Sequence, residues 1–143
     1  MLSCGLTYSG HPLACAAGVA CVNYYTKANI LDNVEKSGKA LAARLDAMKE
    51  AHPCVGDTRH IGLFACVELV KDKKTKEALV PYGQDPEGTM GKIIGKLKER
   101  GFMTYSHENM IFVCPPLIIT VEQLEEELDK LEEVLSIVDK EFI

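Results

Sequence analysis

The chain has 143 residues, 47% of them hydrophobic and 26% charged, and a formal net charge of -5 at pH 7. That length is enough to enclose one core, and the interspersed charges leave no contiguous basic surface for nucleic acid or anionic lipid. No apolar run reaches the roughly 18 residues of a membrane span, and Met1-Leu2-Ser3-Cys4 has neither a basic nor an apolar leader region, so a soluble, cytosolic, single-domain protein is expected.

In chain order, the first informative stretch is Gly5-Leu6-Thr7-Tyr8-Ser9-Gly10-His11-Pro12-Leu13-Ala14-Cys15-Ala16-Ala17-Gly18. It sets a hydroxyl-bearing, glycine-punctuated turn directly before a helix that starts at proline. Pro12 suits the first helical position, where its missing N–H needs no partner. The free N–H groups and positive end of the helix can then face a phosphate, with Thr7 and Ser9 as further donors. The ordinary alternative is a plain loop-to-helix junction. The helix is expected over residues 12–28, with Leu13, Ala16, Ala17, Ala20, Cys21 and Tyr24 on one inward stripe and Asn29 as its breaker.

A second helix is expected over 31–51, carrying Leu31, Val34, Leu41, Leu45 and Met48 at helical spacing and ending at His52-Pro53. Residues 55–70 read as two short strands around Gly62, because Leu63, Ala65, Val67 and Leu69 alternate with Phe64, Cys66 and Glu68. Glu68 stands out among apolar neighbours. Residues 71–88 are polar and hold Pro81, Gly83, Pro86 and Gly88, so an exposed excursion is expected, with Lys71-Asp72-Lys73-Lys74 as a solvated turn. A third helix over 90–100 turns Ile93, Ile94 and Leu97 inward and stops at Gly101. Residues 102–105 and 110–114 read as strands around a Ser106-His107-Glu108-Asn109 turn. Thr120 and Gln123 form a capping box for the last helix, whose Leu124, Leu128, Leu131, Leu135 and Val138 line an apolar stripe opposite a solvated Glu125-Glu126-Glu127 face.

The six cysteines sit among apolar neighbours, as in Ala14-Cys15-Ala16, Ala65-Cys66-Val67 and Val113-Cys114-Pro115, with no Cys-x-x-Cys pair, so buried free thiols are expected. The four histidines lie far apart, and no metal site is expected. Helices around a small, largely antiparallel sheet give an α/β (α+β) fold.

Three segments together carry a family resemblance. The opening stretch resembles the segment joining the two domains of class-III aminotransferases, which use pyridoxal phosphate. Arg59-His60-Ile61-Gly62-Leu63-Phe64-Ala65-Cys66-Val67-Glu68-Leu69-Val70 is similar to that family's Arg-Gly-x-Gly-Leu-x-x-x-x-Glu strand, and Pro115-Pro116-Leu117-Ile118-Ile119-Thr120 resembles its Pro-Pro-Leu-x-x-Thr run into the last helix. The resemblance implies the C-terminal small domain of a fold-type-I enzyme, with residues 1–28 as the interdomain segment and helix and 29–143 as the small domain.

By the same resemblance Thr7 contacts the cofactor phosphate across a homodimer interface, with Tyr8 and Ser9 beside it, while His11 reads more simply as a turn-fixing side chain. The lysine that binds the cofactor, the acidic partner of its ring nitrogen and the aromatic that stacks on it lie upstream of the opening segment in the family. No catalytic residue is therefore expected in this chain, and pyridoxal phosphate should bind it weakly or not at all. Family members that grip an α-carboxylate place an arginine three residues before Pro-Pro-Leu, where this chain has Phe112, and the amine:pyruvate branch places a movable one where it has Tyr105. Residues 71–83 look most like that branch, including taurine:pyruvate-type enzymes. The implied reaction moves an amino group from an amine donor to a keto acid. Other readings are a truncated, non-catalytic module or a split subunit completed by a partner chain.

Overall fold

The computed structural model describes Gly5 and residues 7–143; Leu6 of the opening turn and the Met1-Leu2-Ser3-Cys4 start lie outside the described residues. The chain divides into two units, Met1–Asp32 and Asn33–Ile143. The first holds helix α1 (Pro12–Lys27). Asn29 ends it in the left-handed region (φ 49°), which asparagine tolerates better than most residues. The stripe expected to face inward is exposed: no residue of α1 is buried. Lys27 is its only charged side chain, so apolar residues surround the axis instead of forming one face, and a helix apolar all round is one built to be covered.

Helix α2 (Ile30–Ala51) follows, burying Ile30 while Leu31 is exposed, one position off the expected stripe; Leu41, Leu45 and Met48 are buried as expected. Strands β1 (Val55–Ile61) and β2 (Phe64–Asp72) form an antiparallel hairpin turned at Gly62-Leu63. Two positions here need glycine. Gly62 sits at φ 56°, and a Cβ on Gly38 of α2 would lie 3.1 Å from the Gly62 carbonyl carbon and oxygen, so the helix packs directly on the turn.

The polar excursion is not all loop. A two-residue strand, β3 (Glu77–Ala78), pairs with β2, and Leu79 and Val80 beyond it are buried. Its first part is the expected solvated turn, closed by the Asp72 carboxylate, which accepts from the Lys74 and Thr75 amides at 2.6 and 3.1 Å and is held below the ordinary carboxylate range by them. Helix α3 (Thr89–Glu99) buries Met90, Ile93 and Leu97 and stops at Gly101, φ 80°.

The second hairpin is shorter than expected. Strand β4 is only Ser106–His107, β5 is Met110–Val113, and residues 102–105 are not a strand. The Thr104 hydroxyl donates to the Phe112 carbonyl, so a side chain occupies an acceptor that a longer ladder would use. Helix α4 (Val121–Glu141) carries the full capping box and buries Leu124, Leu128, Leu131, Leu135 and Val138. Its acidic face is not simply solvated: Arg44 of α2 binds Glu125 and reaches Asp129 and Glu132 at 2.8 Å each.

The sheet is antiparallel in every pairing, ordered β1-β2-β5-β4 with β3 also on β2. Ala65, Val67, Leu69, Ile111 and Val113 point to the buried face, in one core with α2, α3 and α4. The other face is open. The five described cysteines are free thiols, but only Cys54 is buried; Cys15 and Cys21 are exposed on α1, and Cys114 lies exposed beyond the end of β5.

Candidate functional site

The opening turn can be described by itself. Thr7, Tyr8, Ser9 and Gly10 form an exposed turn with Gly10 at φ 71°, closed by the His11 amide donating to the Tyr8 carbonyl at 3.2 Å. His11 is the residue before the helix and makes no side-chain cap; its ring stands 6.1 Å from that of Tyr8, consistent with a turn-fixing role. No acidic residue occupies the first turn of α1. Helix amides without a side-chain cap, beside two hydroxyls and no carboxylate, suit a phosphate. This donor set fits the phosphate end of a cofactor and supplies nothing for its ring.

The open face of the sheet brings together the other two sequence-derived residues. Cys66 of β2 pairs with Phe112 of β5, and Phe112 stacks on Tyr105 with ring centroids 4.7 Å apart and planes at 10°. Phe64 completes a row of three rings, 6.2 Å from Phe112. Phe64 was missed because its place in the row depends on the register between two strands distant in sequence, although its alternation with Cys66 already set it on that face.

Glu68 is also explained. It lies opposite Asp57 and forms an ion pair with Arg59 at 2.8 Å, while Asp57 meets Arg59 at 3.2 Å and Lys49 at 2.7 Å. Arg59 is held above its ordinary value by interaction with the Cys66 sulfur, opposed by partial burial and aided by Glu68. This guanidinium is engaged by carboxylates already on the chain, and the rings of Phe112 and Tyr105 carry no charge to replace it as a carboxylate clamp.

Two further contacts tie α2 to distant parts of the chain. Asn33 donates to the carbonyls of Leu117 and Ile119 at 2.8 and 3.0 Å, and buried Ser37 donates to Ile119 at 3.3 Å, so α2 fixes the Pro-Pro-Leu segment that follows Cys114. His52, which sequence spacing marks only as a helix stop, is buried with Nδ1 2.6 Å from the Asp139 carboxylate. The second oxygen of Asp139 accepts from the Cys54 amide at 2.9 Å. Burial pushes Asp139 up, but the bonds from Cys54 and His52 outweigh it and hold the carboxyl below its ordinary value. Burial pushes the Cys54 thiol up.

Helices packed on a short antiparallel sheet are the fold this chain shares with transaminases of fold type I. The family model "Aminotransferase class-III" matches residues 1–135, and the chain belongs to that family. The taurine:2-oxoglutarate aminotransferase of Bifidobacterium kashiwanohense, solved in complex with PLP and glutamate, is 50% identical, with a TM-score of 0.93 over 100% of this chain and 32% of that one. Adenosylmethionine-8-amino-7-oxononanoate aminotransferase of Methanocaldococcus jannaschii is 35% identical over 94% of this chain and 28% of its own length. Taurine–pyruvate aminotransferase of Bilophila wadsworthia is 29% identical over 95% of this chain and 30% of its own. The chain thus spans under a third of the relatives it matches.

Proposed function

We propose that this chain is the C-terminal portion of a pyridoxal-phosphate-dependent class-III aminotransferase that moves an amino group from an amine donor to a keto acid, and that it is inactive alone. Residues 1–28 then serve as the interdomain segment and 29–143 as the small domain of a homodimeric enzyme in the cytoplasm. The observation that carries this reading is the 50% identity, along the whole chain, to a taurine:2-oxoglutarate aminotransferase. The cofactor supplies the electron sink for the amine substrate. This chain's part is to hold and orient: Thr7, Tyr8 and Ser9 with the first amides of α1 would bind the cofactor phosphate, and Tyr105 and Phe112 would line the donor side with an uncharged wall. No lysine of this chain lies in a motif matching the family's cofactor-binding lysine.

The test is a titration of the chain with pyridoxal phosphate, followed by visible absorbance before and after borohydride. Weak binding with no stoichiometric adduct on any one lysine is expected. A single lysine reduced to a stable adduct in full yield would overturn the assignment. The absence of arginine at positions 105 and 112 and the taurine enzymes among the relatives support an ω-amine or amino-sulfonate donor.

A further inference from the structure

At the outer edge of the sheet, the irregular pairing between Val55 and Asp57 of β1, the last turn of α2 and the polar turn after β2 surround an open pocket of about 420 Å³. That volume lies within the roughly 300–1,000 Å³ of small-molecule sites, but its lining is charged where such sites are mostly apolar. Lys49, Arg59, Lys73 and Lys76 face Asp57 and Glu68, an excess of two positive charges in a chain whose net charge is -5. A concave surface with an excess of one sign concentrates counter-ions from solution.

Both carboxylates are engaged within the chain. Asp57 meets Lys49 at 2.7 Å and Arg59 at 3.2 Å, and Glu68 meets Arg59 at 2.8 Å. Lys73 has a different partner: its ammonium donates to the Lys49 carbonyl in the last turn of α2, which offsets the negative end of that helix. An ammonium carries three N–H donors, so this bond orients Lys73 and leaves it able to donate to a ligand. Lys76 stands at φ 60°, in the left-handed region that few side chains besides asparagine and aspartate adopt. Among the described residues no carboxylate pairs with Lys73 or Lys76. Lys49, Arg59 and Lys73 are already held in place by partners on the chain, so less freedom is lost when a ligand binds.

We propose that this pocket binds a diphosphate group, held by the ammonium groups of Lys73 and Lys76 from the turn and of Lys49 from α2. The chemistry of the donors selects the ligand. Arg59 is the planar fork of the pocket and already carries both carboxylates, so a carboxylate ligand finds no free bidentate partner, whereas ammonium groups act on phosphate as point charges. A cation of the same size meets the excess positive charge. No aromatic side chain among the described residues lines the pocket, so the diphosphate is recognised without whatever it is attached to. The lining holds no residue of the Thr7, Tyr8 and Ser9 turn and needs no cofactor, so the site stands or falls separately from the transaminase reading.

The test is a titration of the 143-residue chain with inorganic pyrophosphate, followed by amide NMR shifts. At about 20 mM NaCl a Kd of about 0.1–1 mM is expected, with shifts centred on Gly56, Lys73 and Lys76. Raising NaCl to about 200 mM should weaken binding by about tenfold, because exposed charges are screened. ADP, which shares only the diphosphate, should bind within about threefold of pyrophosphate. Lys73→Gln combined with Lys76→Gln should weaken binding by about tenfold, and Glu68→Gln, which releases Arg59, should strengthen it by about threefold. Lys92→Gln removes the same charge from α3, outside the pocket, and should leave the affinity unchanged. None of these side chains is buried, so the fold is expected to persist by circular dichroism. Shifts centred on the Thr7–His11 turn would place the phosphate at α1 instead and refute the proposal while leaving the cofactor reading intact. An equal loss in Lys92→Gln, ADP far tighter than pyrophosphate, or an affinity unmoved by the lysine and Glu68 substitutions in folded protein would each refute it as well.

Discussion

Asp139→Asn is the most informative single substitution for the fold. Asp139 is mostly buried, with 18% of its side chain exposed, and it joins the end of α2 to α4: one oxygen takes the Cys54 amide at 2.9 Å and the other meets His52 Nδ1 at 2.6 Å. Hydrogen bonds to a charged group contribute about 1.5–3 kcal/mol each, and two on one carboxylate are not additive, so the loss is expected at about 2–4 kcal/mol. With a urea dependence of about 2 kcal/mol per molar, the unfolding midpoint at pH 7 should fall by about 1–2 M. The pH dependence follows from the depressed carboxyl. An aspartate whose folded value lies below its unfolded value of about 3.9 contributes stability that is present above that value and disappears as pH falls through the folded one. The difference between wild type and Asp139→Asn should therefore be full at pH 6–7 and shrink below about pH 4. Urea titrations at pH 7, 5 and 3 check this. A midpoint unchanged at pH 7, or a difference that grows on acidification, would refute the argument.

Gly38→Val places side-chain atoms against the Gly62 backbone, already 3.1 Å from a hypothetical Cβ, and should cost about 2 kcal/mol in thermal or urea unfolding; an unaltered stability would show that α2 does not sit on the turn. In the complete enzyme that the proposed function implies, kcat/KM for an ω-amine or taurine should exceed that for glutamate as donor, and Tyr105→Arg should raise the glutamate value by about tenfold, as one charge-assisted contact allows; a strong glutamate preference in the unaltered enzyme would place the carboxylate clamp elsewhere. The isolated chain should self-associate through α1, whose Leu13, Val19, Val22 and Tyr24 are all more than half exposed, and Ala17→Glu should weaken that association in sedimentation at several concentrations; a monomer indifferent to concentration and to the substitution would count against it.

Patterns governed by neighbours in the chain were legible in the sequence. The Thr120–Gln123 box, the Gly101 stop, the Gly62 turn and the alternation of Leu63, Ala65, Val67 and Leu69 each arise from interactions spanning a few residues, and the family segments around Pro12, Arg59 and Pro115 could be read for the same reason. What required the fold were contacts between residues far apart in the chain. Phe64 joined Phe112 and Tyr105 only through the β2–β5 register. Arg44 took three carboxylates 81 to 88 residues away, and His52 found Asp139 across 87. Helix α1 marks the boundary between the two: local propensity and Pro12 make it a helix, but an all-round apolar surface has no face to aim. Which side it buries is therefore set by whatever packs on it, not by its own sequence.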